Sequence, residues 1–442
     1  MEKTIFVLLL LHNVMISSAV TQTNITTDQL SLLSLKSQII SDPFHNLDES
    51  WSPTTSICHW VRVTCGSRHQ RVKSLNLSNM VLTGKIPRDV GNLTFLISLD
   101  LSGNNLHGNL PQEMARLRRL KFLDLSFNNF RGEIPSWLGY LYQLQVLNLE
   151  NNSFTGSIPP SLSNASRLET LEISANLLQG NIPEGIGNLQ NLNWLSIQDN
   201  QLMGSIPFTI FNISTIEFIA FTNNRLSGKL PNDLCNRLPI LKELHLSMNK
   251  LHGHMPISLS NCSLLQILSL SVNDFDGPIH SEIGRLSNLQ ILYLGSNHFT
   301  GEIPKEIRNL VELEELALGF NNFSGSLPME IFNISRLRII DLSANSLSGT
   351  LPLNMGSTLP NIEELYMSDL TNIVGTIPHS ISNCSKLTIL DLLDNHLNKK
   401  LDCVASIMKV ALDCCVESPT RRTNMKDVVG MLQKIKIQLL AC

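Results

Sequence analysis

The chain has 442 residues, of which only 16% are charged, well under the ~25% typical of soluble proteins. Its formal net charge is −4 at pH 7, and the sequence contains no basic stripe suited to nucleic acid or to an anionic membrane surface. These two classes of partner are therefore not expected.

Residues 1–20 are typical of a secretory signal peptide. Lys3 supplies a positive start, residues 5–11 form an apolar core, and residues 17–19 form a cleavage zone of small side chains. A membrane anchor is the alternative, but this apolar run is too short to span a bilayer, and no later segment reaches the length of a transmembrane helix. We therefore expect the chain to enter the secretory pathway and to act outside the cell.

The segment that follows is predicted to contain a helix. Asp28 has the side chain of a helix N-cap, and apolar residues follow it at Leu30, Leu33, Ile39 and Ile40. We expect these four residues to form the buried side of the helical segment.

An asparagine then recurs every 24 residues from Asn104 to Asn345, with a single 25-residue step before Asn249. A fixed period of this length indicates a stacked repeat array. The series continues in phase through Asn104, Asn128, Asn152, Asn176, Asn200, Asn224, Asn249, Asn273, Asn297, Asn321 and Asn345. We call these residues the ladder asparagines.

Each ladder asparagine sits in the pattern LxxLxLxxNxLxGxIP. The LxL pair alternates as in a short strand, and its leucines need the neighbouring repeat to be buried. A buried amide needs partners, so we expect each asparagine to bond to backbone groups of adjacent turns. About fourteen repeats begin at Val72. Met80 occupies the first ladder position, Leu370 and Thr371 fill a later one, and Asn395 restores the phase.

The pattern LxxLxLxxNxLxGxIPxx resembles the plant extracellular type of leucine-rich repeat, over residues 71–398. The resemblance implies an α/β leucine-rich-repeat solenoid, a curved superhelix with a parallel sheet on its concave side. Residues 21–70 resemble the N-terminal cap of that family, whose motif is C-x-W-x-G-V-x-C. Arg62 replaces the glycine of the motif, and a Cys58–Cys65 disulfide is expected on export. Cys262 and Cys384 are expected to be buried small apolar residues, and the state of Cys235 stays open.

Export also makes the Asn-x-Ser/Thr sequences candidate glycosylation sites. Six of them share one phase of the repeat, twelve residues before a ladder position, so glycans would cover one flank. Ordinary repeat sequence is the alternative explanation. The predicted sites are Asn24, Asn92, Asn164, Asn212, Asn261, Asn333 and Asn383.

Residues 399–442 depart from the repeat and are predicted to form two short helices, one over residues 403–415 and one from about Asn424. The segment from Pro419 to Leu432 resembles the end of plant receptor-like kinase domains, P-x-x-R-x-x-M-x-x-V-V-x-x-L, with Arg422 at the arginine. The helices either cap the last repeat or remain poorly packed. The Gly-rich loop, the VAIK lysine, HRD and DFG are missing, so the resemblance is to an ectodomain joined to the last helices of a kinase domain.

The residues between the strand leucines are expected to face outward and to form the binding surface. Exposed aromatic side chains beside carboxylates suit a peptide or protein ligand, and lateral packing between repeats is the alternative. The predicted ligand-binding residues are Phe122, Trp194, Phe218, His245 and Tyr293, near Asp124, Glu172, Gln198 and Glu243. No catalytic residue, metal site or cofactor is predicted.

By resemblance, the chain is similar to the ectodomain of plant leucine-rich-repeat receptor-like Ser/Thr kinases, in the immune-receptor branch that includes the elongation-factor-Tu receptor. The resemblance implies a peptide or protein ligand in defence or developmental signalling, a leucine-rich-repeat co-receptor kinase as partner, and a plasma-membrane location for the full-length family. Two alternatives remain open, a membrane receptor Ser/Thr kinase and a secreted inhibitor or decoy scaffold similar to the polygalacturonase-inhibiting proteins.

Overall fold

The computed structural model describes residues 24–370 and 372–397. The predicted signal peptide, Thr371 and the predicted helical tail of residues 399–442 lie outside the described residues. What is described forms a leucine-rich-repeat solenoid with an N-terminal cap, divided into two compact units between Ser153 and Phe154.

The cap begins with the helix Ile25–Ser37, and Asn24, not Asp28, is its N-cap. Asn24 Oδ1 accepts a hydrogen bond from the backbone N–H of Thr27. The prediction for Asp28 is wrong because its side chain lies on the buried face of the helix, where Arg71 and the Val72 N–H bind it. Leu30, which was expected to lie on the buried side, is 63% exposed.

The apolar side predicted for this helix is also wrong. The buried face consists of Asp28, Ser31, Leu32 and Leu35, while Ile40 is 75% exposed. Residues 28, 31, 32 and 35 follow the helical spacing of one face, whereas Ile39 and Ile40 lie beyond the end of the helix, in the strand Ile39–Ser41.

Within the cap, Cys58 and Cys65 are joined by a disulfide. Arg62, at the position of the motif's glycine, adopts a left-handed backbone with φ 67°, so an arginine takes the conformation that glycine accepts most easily. The remaining cap elements are the helix Asn46–Ser50, the 3₁₀ turn Ile57–His59 and the strands Ile39–Ser41 and Val63–Cys65.

Each repeat contributes one short strand to a sheet that we call the main sheet. In the first unit, Val63–Cys65 pairs antiparallel with the first repeat strand, and the following strands are parallel. The repeat strands there are Val72–Asn76, Ser98–Asp100, Phe122–Asp124 and Val146–Asn148.

In the second unit the main sheet has ten parallel strands among the described residues, so that the two units together hold fourteen repeat strands, as predicted. These strands are Thr170–Glu172, Trp194–Ser196, Phe218–Ala220, Glu243–His245, Ile267–Ser269, Ile291–Tyr293, Glu315–Ala317, Ile339–Asp341, Glu364–Tyr366 and Ile389–Asp391.

After each ladder position a further short strand follows, and together these strands form a second set of parallel ladders. In the first unit they are Thr83–Gly84, Asn105–Gly108 and Asn129–Glu133, and Ser153–Thr155 lies at the division. In the second unit they are Gln179–Asn181, Gln201–Ser205, Arg225–Gly228, Lys250–His254, Asp274–Gly277, His298–Gly301, Asn322–Phe323, Ser348–Gly349, Asn372–Gly375 and His396–Leu397.

The third side of each repeat is a short helical turn, which is a 3₁₀ turn in nearly every repeat. In most repeats it begins directly after the proline of Gly-x-Ile-Pro. The fixed φ of proline suits the start of a helical turn. The turns are Arg88–Asn92, Gln112–Arg116, Ser136–Tyr140, Pro160–Asn164, Glu184–Asn188, Phe208–Asn212, Leu234–Arg237, Ile257–Asn261, Ser281–Arg285, Lys305–Asn309, Ile331–Asn333 and His379–Asn383, with a short α-helix at Met355–Thr358.

The predicted asparagine ladder is confirmed. Asn297 shows the pattern: its Oδ1 accepts from the Phe275 N–H, and its Nδ2 donates to the carbonyls of Leu270 and Leu294. Its side chain thus joins one repeat to the repeat before it. At the irregular ends, the Met80 N–H donates to Asn104 Oδ1, and the Leu370 N–H donates to Asn395 Oδ1.

The cysteines differ from the prediction at one pair. Cys262 is buried, as expected, but it forms a disulfide with Cys235, which the expectation of a simple apolar residue did not include. Cys235 lies in the 3₁₀ turn of the repeat that contains the extra residue, and Cys262 caps the turn of the next repeat. The prediction for Cys384 is confirmed, since it is free and buried.

Candidate ligand-binding surface

The main sheet of the second unit presents two rows of outward side chains. In each strand a central Leu or Ile points into the core, and the two flanking residues lie on the opposite face of the sheet. Three of these flanking residues, Ser196, Ala220 and Ser269, are nevertheless buried. The first row contains Thr170, Trp194, Phe218, Glu243, Ile267, Ile291, Glu315, Ile339, Glu364 and Ile389, in register. The second row contains Glu172, Ser196, Ala220, His245, Ser269, Tyr293, Ala317, Asp341, Tyr366 and Asp391, in the same register.

Three of the predicted ligand-binding residues lie together on this sheet. The rings of Trp194 and Phe218 are stacked, with centroids 3.6 Å apart and an interplanar angle of 4°. The imidazole of His245 lies 5.4 Å from the Phe218 ring, at a tilt of 42°. Trp194 is 39% exposed, so the stack is open to solvent on one side.

A carboxylate lies at each end of this stack. Glu172 Oε2 accepts a hydrogen bond of 2.9 Å from Trp194 Nε1, and Glu243 Oε2 lies 2.9 Å from His245 Nε2. These bonds fix the orientation of both rings. We refer to Glu172, Trp194, Phe218, Glu243 and His245 as the aromatic patch.

The other two predicted residues lie elsewhere. Tyr293 is on the second row, two strands beyond His245, and its hydroxyl donates to Glu315. Phe122 belongs to the first unit, where its register neighbours are Ser98 and Val146. Within the second unit the structure therefore assembles Trp194, Phe218 and His245, and Tyr293 is not part of this group.

Beyond Tyr293 the surface is rich in acidic side chains. Burial raises the pKa of Asp341, although hydrogen bonds from Ser343 oppose this shift. Burial and a hydrogen bond to Glu364 raise the pKa of Tyr366 to about 12. The second-row residues Asp341, Tyr366 and Asp391 were missed in the sequence analysis, although their phase in x-L-x is that of His245 and Tyr293.

One arginine holds several of these carboxylates. Arg338 Nε and Nη2 donate to the two oxygens of Glu363, at 3.1 and 3.0 Å, and this contact lowers the pKa of Glu363. Arg338 Nη1 lies 3.6 Å from Glu314 and 3.9 Å from Glu315. The acidic side chains are thus partly neutralised by a cation on the same surface.

The predicted glycosylation sites fall on a different side of each repeat. Asn164, Asn212, Asn261, Asn333 and Asn383 are the last residues of their 3₁₀ turns and are exposed. Asn92 has the same position and is half-buried, and Asn24 caps the first helix. Glycans at the turn positions would leave the main sheet uncovered.

Beside Asn212 the structure has a cavity of about 230 Å³ that the sequence did not indicate. Arg237 Nη1 donates to Asn212 Oδ1 at 3.2 Å. The lining residues are Phe208, Phe211, Asn212, Pro231, Asp233, Leu234 and Arg237. The cavity lies among 3₁₀ turns and not on the main sheet.

Two further properties concern the part of the chain that the structure describes. Within residues 24–370 and 372–397, no helix is long and apolar enough to cross a bilayer. Over the same residues, no three His, Cys, Asp or Glu side chains are grouped so that they could hold a metal ion.

Family models agree with this architecture. "Leucine rich repeat N-terminal domain" matches residues 25–66, and "Leucine-rich repeat region" matches residues 67–180. "Leucine Rich Repeat" matches residues 241–262, 288–310 and 336–357. The chain belongs to the leucine-rich-repeat proteins. Its repeats and cap are of the kind found in the ectodomains of plant receptor-like kinases, as the following similarities show.

Two curated relatives illustrate the range of similar proteins. The chain is 44% identical over 70 residues to the LRR receptor-like serine/threonine-protein kinase EFR of Arabidopsis thaliana, which covers 16% of this chain and 7% of that protein. It is 31% identical over 100 residues to Polygalacturonase inhibitor 2 of Arabidopsis thaliana, which covers 22% of this chain and 30% of that protein. The chain therefore matches only a small part of each relative.

Solved structures match over longer stretches. The plant peptide hormone receptor RGFR1 in complex with RGF2 has a TM-score of 0.68 and 32% identity, over 72% of this chain and 55% of that one. The PEPR1–AtPEP1 structure has a TM-score of 0.62 and 30% identity, over 84% of this chain and 62% of that one. Both neighbours are thus matched over less than two thirds of their length.

Proposed function

We propose that the chain is an extracellular recognition module that binds a peptide or an extended protein segment on the main sheet. The observation that carries the proposal is the aromatic patch, in which an exposed Trp194 stacks on a half-buried Phe218 and carboxylates flank the stack. Exposed, rigid aromatic side chains are the most common anchors of protein interfaces. One solved neighbour supports a peptide ligand, since its name describes a plant peptide hormone receptor in complex with RGF2.

The dimensions of the patch suit a short run of extended peptide. It covers four adjacent strands, from Glu172 to His245. At ~4.8 Å per strand the three intervals span about 14 Å, which is the length of about four extended residues. A single ligand segment therefore contacts the whole patch.

We place this module in the secretory pathway and in defence or developmental signalling, in line with its similarity to receptor kinases. The immune-receptor branch of that family and a leucine-rich-repeat co-receptor kinase as second partner are parts of the same proposal. We also propose that the module itself does not catalyse a reaction. The family models match the cap and the repeats, and the role that we assign to these residues is recognition.

Panning of a phage-displayed random dodecapeptide library on the immobilised, secreted chain tests the proposal. Replacement of Trp194 and Phe218 by alanine should lower the affinity for the enriched peptides by about tenfold or more. It should not unfold the repeats, because both side chains lie on the outer face of the main sheet and not in the core. Tyr140 and Tyr142, which are 50% and 52% exposed outside the main-sheet strands, provide the control double replacement by alanine. Equal binding to both variants would contradict the assignment of the patch.

A secreted inhibitor or decoy is the second candidate, because the chain also matches a polygalacturonase inhibitor. Measurement of pectin hydrolysis by a fungal polygalacturonase, with and without the purified chain, separates the two candidates. Inhibition that survives the Trp194→Ala/Phe218→Ala replacement would favour the inhibitor.

A further inference from the structure

The indole ring of Trp194 has one covered face and one open face. Phe218 covers the first face, since the two rings are nearly parallel and 3.6 Å apart. The opposite face points along the first row toward Thr170, the register partner of Trp194 on the preceding strand. Threonine is too short to cover an indole, and Trp194 remains 39% exposed. A slot is thus bounded by the Trp194 ring, by Thr170 below it and by Glu172 at its edge.

Glu172 gives this slot a negative edge. Its Oε2 accepts from Trp194 Nε1, and its Oε1 accepts from the Ser174 N–H at 3.1 Å. A carboxylate has about four lone-pair sites, so each oxygen keeps acceptor capacity for a ligand.

The shape and charge of the slot select the chemistry of its occupant. An aromatic face attracts a cation, and a flat slot favours a planar one. A guanidinium stacks on indole and donates to a carboxylate in the same plane, whereas an ammonium is a compact, strongly hydrated charge that does neither as well. An apolar or aromatic ligand side chain would contact the Trp194 ring but would provide no counter-charge for the Glu172 carboxylate.

We propose that the open face of Trp194 and the carboxylate of Glu172 bind the guanidinium of an arginine side chain in the peptide ligand. This inference rests on the proposed function, and it makes Trp194 and Glu172 specificity-determining residues of the surface. Phe218 then fixes the orientation of the indole by stacking on it, and the hydrogen-bonded pair Glu243 and His245 packs beside Phe218.

The experiment uses the full secreted chain and peptides enriched from the random dodecapeptide library. Each enriched peptide is resynthesised with its arginine kept, replaced by lysine, or replaced by citrulline, which has nearly the same shape without the charge. Citrulline should weaken binding about tenfold, and lysine less, in isothermal titration calorimetry. Trp194→Ala and Glu172→Gln should each reduce the preference for arginine over citrulline. Tyr140→Ala, which changes an exposed residue outside the main-sheet strands, should retain it.

The intrinsic fluorescence of Trp194 provides a second measurement of this contact. Trp51, Trp60 and Trp137 are buried, at 1%, 2% and 8% exposure, so a change in tryptophan fluorescence on binding of the arginine peptide reports on Trp194. Peptides that are enriched without arginine, or that bind equally with citrulline on the unaltered chain, would overturn the arginine slot and leave the proposed function standing. Enrichment of no peptide would overturn both.

Discussion

Asp28 and Arg71 form a buried, bidentate ion pair that joins the first helix to the start of the repeats. Arg71 Nε and Nη2 donate to the two carboxylate oxygens of Asp28 at 2.8 and 2.7 Å, and the Val72 N–H donates to the same carboxylate at 2.9 Å. The Arg71 guanidinium also lies over the Phe95 ring, 4.5 Å from its centroid. The cap is therefore held to the first repeat by a charged contact as well as by apolar packing.

Replacement of Asp28 by asparagine should lower the free energy of unfolding by about 3–5 kcal/mol, because it leaves the Arg71 charge buried without its counter-ion. Asp48→Asn is the matched control, since Asp48 pairs with Lys36 at 3.4 Å but its side chain is 61% exposed. The control should cost less than about 1 kcal/mol. Urea denaturation followed by circular dichroism measures both, and similar losses in the two variants would contradict this role of Asp28.

Asn297→Ala tests the contribution of one ladder position. The replacement removes the acceptor of the Phe275 N–H and the donor to three carbonyls, in a site where Asn297 is only 8% exposed. Leaving these groups unsatisfied should cost about 3 kcal/mol. The exposed Asn309, at the end of a 3₁₀ turn, is the control, and its replacement by alanine should change the denaturation midpoint little. A midpoint for Asn297→Ala equal to that of the control would show that the ladder bonds do not stabilise the fold.

The Cys235–Cys262 disulfide should contribute about 3–4 kcal/mol, the value expected for a closed loop of 27 residues in the chain-entropy description. Replacement of both cysteines by alanine should lower the free energy of unfolding by about that amount. Cys384→Ala, which removes a free buried thiol, is the control. Mass spectrometry of a non-reduced digest should recover a linked peptide that contains Cys235 and Cys262. Recovery of both as free thiols would contradict the pairing.

The fold could be predicted from the sequence because its main determinants repeat with a fixed period. The ladder, the x-L-x strands and the positions of the bends all follow from the 24-residue step. The contacts that were missed break this period. Asp28 and Arg71 are 43 residues apart, and Cys235 and Cys262 are separated by 27 residues. No local pattern indicates such partners.

For the candidate site, the positions of the residues could be predicted from the sequence, but the orientations of their side chains could not. Trp194 and Phe218 share one phase in adjacent repeats, so their proximity follows from the period. The tilt of His245 against Phe218 depends instead on its hydrogen bond to Glu243. That bond and the bond from Trp194 to Glu172 arise from side-chain rotamers, which the spacing of residues does not determine.

Cys384 should react slowly with iodoacetamide while the protein is folded. Burial raises the pKa of its thiol to about 11, and the thiolate is the reactive form. Its alkylation rate should therefore rise with pH up to about 11 in the folded protein, whereas in urea it should level off near the ordinary thiol pKa of ~8.5. Mass spectrometry of the peptide that contains Cys384 measures the rate. Equal rates at pH 8 with and without urea would contradict the prediction.

Val272 adopts a left-handed backbone, with φ 56°, and its side chain is 49% exposed. This conformation costs roughly 1–2 kcal/mol for ordinary residues and is rare for β-branched ones. Asn151 and Asn223 occupy the equivalent position in other repeats with the same sign of φ, and asparagine tolerates this region better.

Val272→Asn should therefore raise the free energy of unfolding by about 1 kcal/mol, since the backbone strain is relieved and little apolar burial is lost. Val311, which is 58% exposed and is not among the residues with positive φ, is the control. Val311→Asn should change stability by less than about 0.5 kcal/mol. A loss of stability in Val272→Asn would instead show that the valine side chain makes packing contacts that outweigh the strain of its backbone.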